Sequence, residues 1–168
     1  MSKVVLLLFL TFYYTYADDI FYAVKAGVLS HSTGPISNGI ESGIDINAEV
    51  LFQEKFLKAH PAVGVDINTN NDTSFMYCGL AWEDRFFKHL LLGIFVGLSS
   101  HNGDIKNNHE DKRQLGSRVL LRGAIDIGYY LNKNSSISFI YDHYSHLGLL
   151  DKRNQGNDNL GLRLGYYF

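Results

Sequence analysis

From residue 20 onward, apolar side chains recur at every second position, which is the period of a β-strand and not the three-to-four spacing of a helix. Eight segments follow this rule, over 20–29, 43–52, 61–68, 73–82, 86–98, 115–130, 135–145 and 158–168. The sixth is representative: Val119, Leu121, Ile125, Ile127 and Tyr129 share one face, while Arg118, Arg122 and Asp126 share the other. In the second, Ile44, Ile46, Val50 and Phe52 oppose Asp45, Asn47 and Glu49. The eighth sets Leu160, Leu162, Leu164, Tyr166 and Phe168 against Asn159, Gly161, Arg163 and Gly165. The connections alternate in character. Residues 53–60, 83–85 and 131–134 are short, 30–42, 99–114 and 146–157 are long and polar, and 69–72 breaks the alternation.

One apolar and one charged face per strand suits two kinds of closed sheet: a soluble barrel with its apolar face inside, or a membrane barrel with that face outside. The polar faces collect both signs, Lys25, Arg118, Arg122 and Arg163 against Asp45, Glu49, Asp66, Asp126 and Asp142. Such charges can pair in a narrow, side-chain-filled interior. Glycines 27, 64, 93, 97, 128, 161 and 165 fall on the same charged face, where small residues must sit beside large ones. The expectation is therefore an all-β, eight-stranded antiparallel transmembrane barrel of the outer-membrane type, with short turns and both chain ends on the periplasmic side. Tyr22, Trp82, Phe86, Tyr129, Tyr166 and Phe168 would form the interfacial aromatic girdle there. The chain closes on the aromatic Phe168, although Arg163 stands where the usual assembly signal has glycine.

The first residues have a different character. Met1-Ser2-Lys3, the apolar run Val4 to Tyr14 and the small Ala17 read as a secretory signal peptide over 1–17, leaving 18–168 as the barrel. The run is too short for a membrane-spanning helix, which needs about 20 apolar residues. Sixteen glycines, eleven tyrosines, eleven phenylalanines and two prolines agree with β structure. A net charge of −2 without a basic stripe speaks against nucleic acid as a partner. The single cysteine, Cys78, excludes an internal disulfide and reads as a small hydrophobe.

Candidate chemistry gathers at the end of the seventh segment. Continuing the alternation of Ile137, Phe139 and Tyr141 places His143 and Ser145 together on the apolar face, beside a long loop. An imidazole next to a hydroxyl can activate it as a nucleophile. Pairing segments seven and eight with Phe139 and Tyr141 facing Leu164 and Leu162 brings Asp158 beside Ser145 or His143. Asp158 could then hold the imidazole tautomer, or be an ordinary loop aspartate. His101, His109, Glu110 and Asp111 have no spacing that defines a metal site.

The stretch Phe139 to Phe168 resembles the carboxy-terminal hairpin of the lipid A 3-O-deacylases, the PagL-like or acyloxyacyl hydrolase family. The matching elements are His143-x-Ser145, Gly148, Asn154-x-Gly156 and the closing run Leu160 to Phe168. Weaker similarity extends over 39–52, Thr73 to Glu83 and Leu115 to Leu120. The resemblance implies a bacterial outer-membrane enzyme, a monomer or homodimer, that removes the 3-O-linked hydroxyacyl chain from lipid A in the outer leaflet. His143 would be the general base, Ser145 the nucleophile and Gly148 a backbone donor to the oxyanion, with no metal or organic cofactor needed. Lys106, Lys112 and Arg113 would lie where lipid A phosphates pass. Two positions depart from the family: His146 replaces an asparagine of the oxyanion hole, and the acid, usually glutamate, must be sought among Gln155, Asn157 and Asp158. Of these only Asp158 is a carboxylate. The alternatives are a non-enzymatic structural or adhesion-type barrel, and a palmitoyl transferase, which would need an interior acyl pocket that the charged inward faces leave little room for.

Overall fold

The computed structural model describes residues 20–36, 40–53, 57–105, 112–148 and 155–168. The expected signal peptide over 1–17 lies outside them. Eight antiparallel strands close into one barrel in chain order. They are β1 (Phe21–Ser30), β2 (Ile44–Phe52), β3 (His60–Asn68), β4 (Phe75–Phe86), β5 (Leu90–His101), β6 (Val119–Tyr130), β7 (Ser135–Ser145) and β8 (Asn157–Tyr167). β1 pairs with β8 from Ala23↔Tyr167 to Ser30↔Leu160, so the described strands close with no free edge among them. Connections of 31–43, 102–118 and 146–156 leave one end of the barrel, and the short turns 87–89 and 131–134 leave the other.

The charged faces point inward. Arg122 donates to Asp142 Oδ2 at 2.8 Å and to the Tyr144 hydroxyl at 2.8 Å. Its guanidinium lies over the Tyr77 ring, 3.8 Å from the centroid. Arg163 pairs with Glu49 at 3.0 Å and with Asp126, and Lys25 pairs with Glu83 and with Asp126. Burying any of these charges alone would cost several kcal/mol, so the interior holds together as a mutually neutralising network. The inward glycines make room for it: a side-chain carbon added at Gly27, Gly97 or Gly161 would run into the backbone of the next strand.

The outward faces are apolar. Val28, Ile46, Met76, Val96, Ile127 and Leu164 are all exposed. A continuous apolar band around the barrel exceeds what a protein exposes to water and matches a hydrocarbon environment. Phe86, Tyr129 and Tyr166 are exposed at the short-turn end, as a girdle requires. Tyr22 is not part of that girdle. A bulge between Phe21 and Ala23 shifts the pairing of β1, and the Tyr22 ring stacks on His60 at 3.7 Å and meets Tyr167 edge-on. Arg118 also departs from expectation. β6 begins only at Val119, so Arg118 is exposed in the preceding loop and donates to the carbonyls of His101 and Gly103.

Candidate active site

The inward side chains of β7 decide where its outward ones stand. Asp142 and Tyr144 are both fully buried; the first is held by Arg122, and the second stacks on Phe75 with centroids 3.9 Å apart. Tyr144 also donates to Asp66. Successive side chains of a strand alternate between faces, so anchoring these two turns His143 and Ser145 outward. His143 keeps 24% of its side chain exposed, whereas Ser145, at the strand end, is buried.

Across the β7–β8 pairing His143 faces Asp158, with Phe139 opposite Leu162 and Tyr141 opposite Leu160. This register is two residues away from the one expected from sequence. Parity is unchanged, because a shift of two keeps every side chain on its face, while barrel closure through β1 sets the absolute register. Asp158, directly opposite the imidazole, is completely buried. His143 Nδ1 lies 2.5 Å from Asp158 Oδ1, and since a carboxylate only accepts, Nδ1 carries the proton and Nε2 is left as the basic nitrogen. The other candidates for the acid are engaged elsewhere. The Gln155 side-chain oxygen accepts from the Gln114 backbone N–H at 2.7 Å, and Asn157 is buried and donates to Asn159.

Asp158 is oriented by more than its histidine. The Tyr141 hydroxyl donates to Oδ1 at 3.0 Å, and the backbone N–H of Ile36 donates to Oδ2 at 2.7 Å. The Thr33 N–H donates to the Asp158 carbonyl at 2.8 Å. Gly34 packs so closely that an added side-chain carbon would stand 2.5 Å from the Asp158 Cβ. The loop after β1 thus forms one wall of the site. Gly156, at φ +61°, forms another: a carbon at its Cβ position would be 3.0 Å from the His143 Cε1. Gly148 follows Leu147 in a left-handed pair, φ +54° and +72°, with nothing within 4 Å of its Cβ position. Among the described residues no hydrogen bond joins Ser145 to His143; contacts of this kind often close only around a substrate. His146, beside Ser145, is buried.

Arg113 ties the loops together. Expected to meet lipid phosphates, it is instead fully buried, donating to the Ser32 hydroxyl at 2.6 Å and to the Gly156 carbonyl at 2.6 Å. Lys112 pairs with Asp72, and Lys106 lies outside the described residues. Arg113 also donates its backbone N–H to Glu41, whose other oxygen is 3.1 Å from His31 Nε2. His31 Nδ1 in turn meets Asp45 at 2.8 Å. Burial opposes protonation of His31, but hydrogen bonds to Asp45 and Glu41 outweigh it and hold its pKa at about 9. A raised histidine pKa stabilises the folded loop fully below about pH 6.5, and that contribution is lost as pH rises through about 9. Its size is about 3 kcal/mol. Protection of the amides across 31–36, after correction for the intrinsic rise of exchange with pH, should therefore fall between pH 7 and 9.5, and His31→Gln should remove this pH-dependent loss of protection. An equal pH response in both proteins would show that another group governs the loop.

Sequence reasoning missed Gly34, Ile36 and the donor role of Tyr141, gave Arg113 a phosphate contact instead of its buried place, and had Gly156 only as part of a family motif. Tyr141 alone left a signal, as a hydroxyl two residues before His143 on the same face. The others act through backbone groups or through contacts far apart in the chain.

The chain is similar in fold to several solved membrane barrels. The outer membrane enzyme PagL superposes with a TM-score of 0.58 at 15% identity, covering 87% of this chain and 99% of that one. A de novo designed transmembrane β-barrel gives 0.55 at 10% identity, covering 87% and 95%. Neisserial surface protein A gives 0.52 at 12%, covering 88% and 97%. At these identities the likeness speaks for fold. No curated protein matches the sequence. The family model described as lipid A 3-O-deacylase (PagL) matches residues 62–167, which takes in β3 from Ala62 onward and β4 to β8, with the outward His143, Ser145 and Asp158. The chain belongs to the lipid A 3-O-deacylase (PagL) family, whose members are ester hydrolases of the outer membrane.

Proposed function

We propose that Ser145, His143 and Asp158 carry the deacylation, meeting lipid A sideways from the outer leaflet. The observation that carries this reading is the His143–Asp158 contact at 2.5 Å on the lipid-facing side of the barrel, with no hydrogen bond to Nε2 among the described residues and a serine hydroxyl two residues on. The Ser145 Oγ attacks the ester carbonyl at position 3 of lipid A, and its proton passes to His143 Nε2. The tetrahedral adduct collapses, the bond between the acyl carbon and the sugar 3-oxygen breaks, and that oxygen takes the proton from Nε2. A water, deprotonated by the same Nε2, then attacks the acyl-serine carbonyl, Nε2 returns that proton to the Ser145 Oγ as it leaves, and the 3-hydroxy acid is freed. Asp158 stabilises the imidazolium that forms twice in this cycle. The exposed left-handed Gly148 turn supports a backbone donor to the oxyanion, in the place where the family's asparagine is His146. All of these groups come from one chain, so the reaction needs no second copy. Export through a signal peptide over residues 1–17 belongs to the same reading.

The test is mass spectrometry of lipid A from a host whose outer membrane carries the protein. Wild type should yield lipid A lacking one hydroxyacyl unit, whereas Ser145→Ala and His143→Ala, inserted at equal levels, should leave it intact. Persistence of the deacylated species in either variant would remove that residue from the mechanism.

A further inference from the structure

One lipid-facing position breaks the apolar wall beside the proposed catalytic residues. Among the described strands the glycines 27, 64, 79, 93, 97, 128, 161 and 165 share the inward face, and each has side-chain or backbone atoms crowding its Cβ position. Gly123 is different. It lies on the outward face of β6 between the exposed Leu121 and Ile125, and nothing stands within 4 Å of its Cβ position. Interior packing therefore does not demand a glycine there. A glycine in a strand costs about 0.5–1 kcal/mol relative to alanine, and it often marks a place where a ligand approaches the backbone.

Its position in the sheet gives this opening a use. Gly123 is the direct cross-strand partner of His143 on β7 and of Val96 on β5, and the next outward position, Leu121, is the partner of Ser145. Described residues occupy other sides of the imidazole. Asp158 occupies the β8 side, the loop of Thr33, Gly34 and Ile36 stands behind Asp158, and Gly156 covers the ring at Cε1. Among the described residues, the β6 side of His143 is open, at the strip of bare backbone at Gly123. An alkyl carbon packs best at about 3.5–4.0 Å from its neighbours. The space left at Gly123 is thus the space a substrate methylene would fill.

We infer that Gly123 is the acyl-chain notch of the site, where the methylenes next to the scissile ester cross β6 between Leu121 and Ile125, bounded by His143 and Val96. The inference rests on the assignment of His143 and Ser145 as the reacting pair. A side chain at 123 would push the ester away from them. Displacement of about 1 Å from a productive geometry costs about 100-fold in rate.

The experiment measures kcat/KM of the purified, folded barrel toward lipid A and toward a short soluble ester, p-nitrophenyl butyrate, for wild type, Gly123→Ala and Gly123→Leu. Lipid A turnover should fall about 10-fold in the alanine variant and about 100-fold in the leucine variant, with the short ester losing far less, within about threefold. The unfolding midpoint should stay near that of wild type, because the added carbons meet open space. Leucine-variant activity on lipid A within about threefold of wild type would overturn the notch. Equal losses on both substrates would also overturn it, since residue 123 would then be shaping the catalytic pair itself. If the leucine variant does not fold, the ratio of the two losses in the alanine variant decides the same question. Failure of the Ser145 assignment is read separately: a Ser145→Ala protein that still deacylates lipid A sinks that assignment and leaves the Gly123 comparison to stand or fall on its own numbers.

Discussion

Purified Ser145→Ala, folded and inserted, should deacylate lipid A slower than wild type by on the order of 10⁴–10⁶. The size follows from the role. Without the hydroxyl no acyl-serine forms, and the remaining contributions are substrate positioning and oxyanion donors, which support only a slow direct attack by water. His143→Ala should give nearly the same loss, and the double variant little more, because the two act as one unit. Single-turnover release of the 3-hydroxy acid measures this, with the barrel's resistance to unfolding as the control for structure. A Ser145→Ala rate within about 10-fold of wild type would mean that water, activated by His143, is the true nucleophile.

Asp158→Asn should cost about 10³–10⁴ in kcat/KM while leaving the barrel intact. The reason lies in a proton. The carboxylate accepts from Nδ1 at 2.5 Å and so leaves Nε2 basic; an amide can turn its NH₂ toward Nδ1, which places the ring proton on Nε2 and prevents it from accepting one from Ser145. The substitution is nearly isosteric: with the NH₂ in the Oδ1 place, the amide oxygen still accepts from the Ile36 N–H, and the Tyr141 hydroxyl turns to accept from the NH₂. Asp158→Ala should lose more, since it also releases the loop after β1. Steady-state assays of the two variants beside wild type check this. A loss smaller than about 10-fold in Asp158→Asn would show that some other group orients the imidazole.

Both expectations hang on a site that was only half legible from sequence. His143 and Ser145 were readable because alternation along β7 is local: each residue's face follows from its neighbours, and two polar groups on an apolar face stand out. Asp158 was readable by residue type and parity, with its partner narrowed to Ser145 or His143. The hairpin alone allowed a pairing two residues away from the one adopted, and only closure of β8 onto β1 set Asp158 against His143. Arg113 shows the limit more sharply. A basic residue in a long polar loop suggests contact with phosphate, yet it is buried against Ser32 and the Gly156 carbonyl, partners 81 and 43 positions away in the chain.

The sequence by itself determined the strand number, the inward and outward faces, the charged interior and the placing of a histidine and a serine toward lipid, because each of these follows from a two-residue period that needs no distant partner. Tertiary structure alone decided the β7–β8 register, the burial of Asp158 beneath the loop after β1, the Tyr141 and Ile36 donors, and the open strip at Gly123 beside His143. Those features arise where strands and loops far apart in the chain are brought into contact. Their geometry is set by closure of the whole barrel, a condition that no single segment encodes.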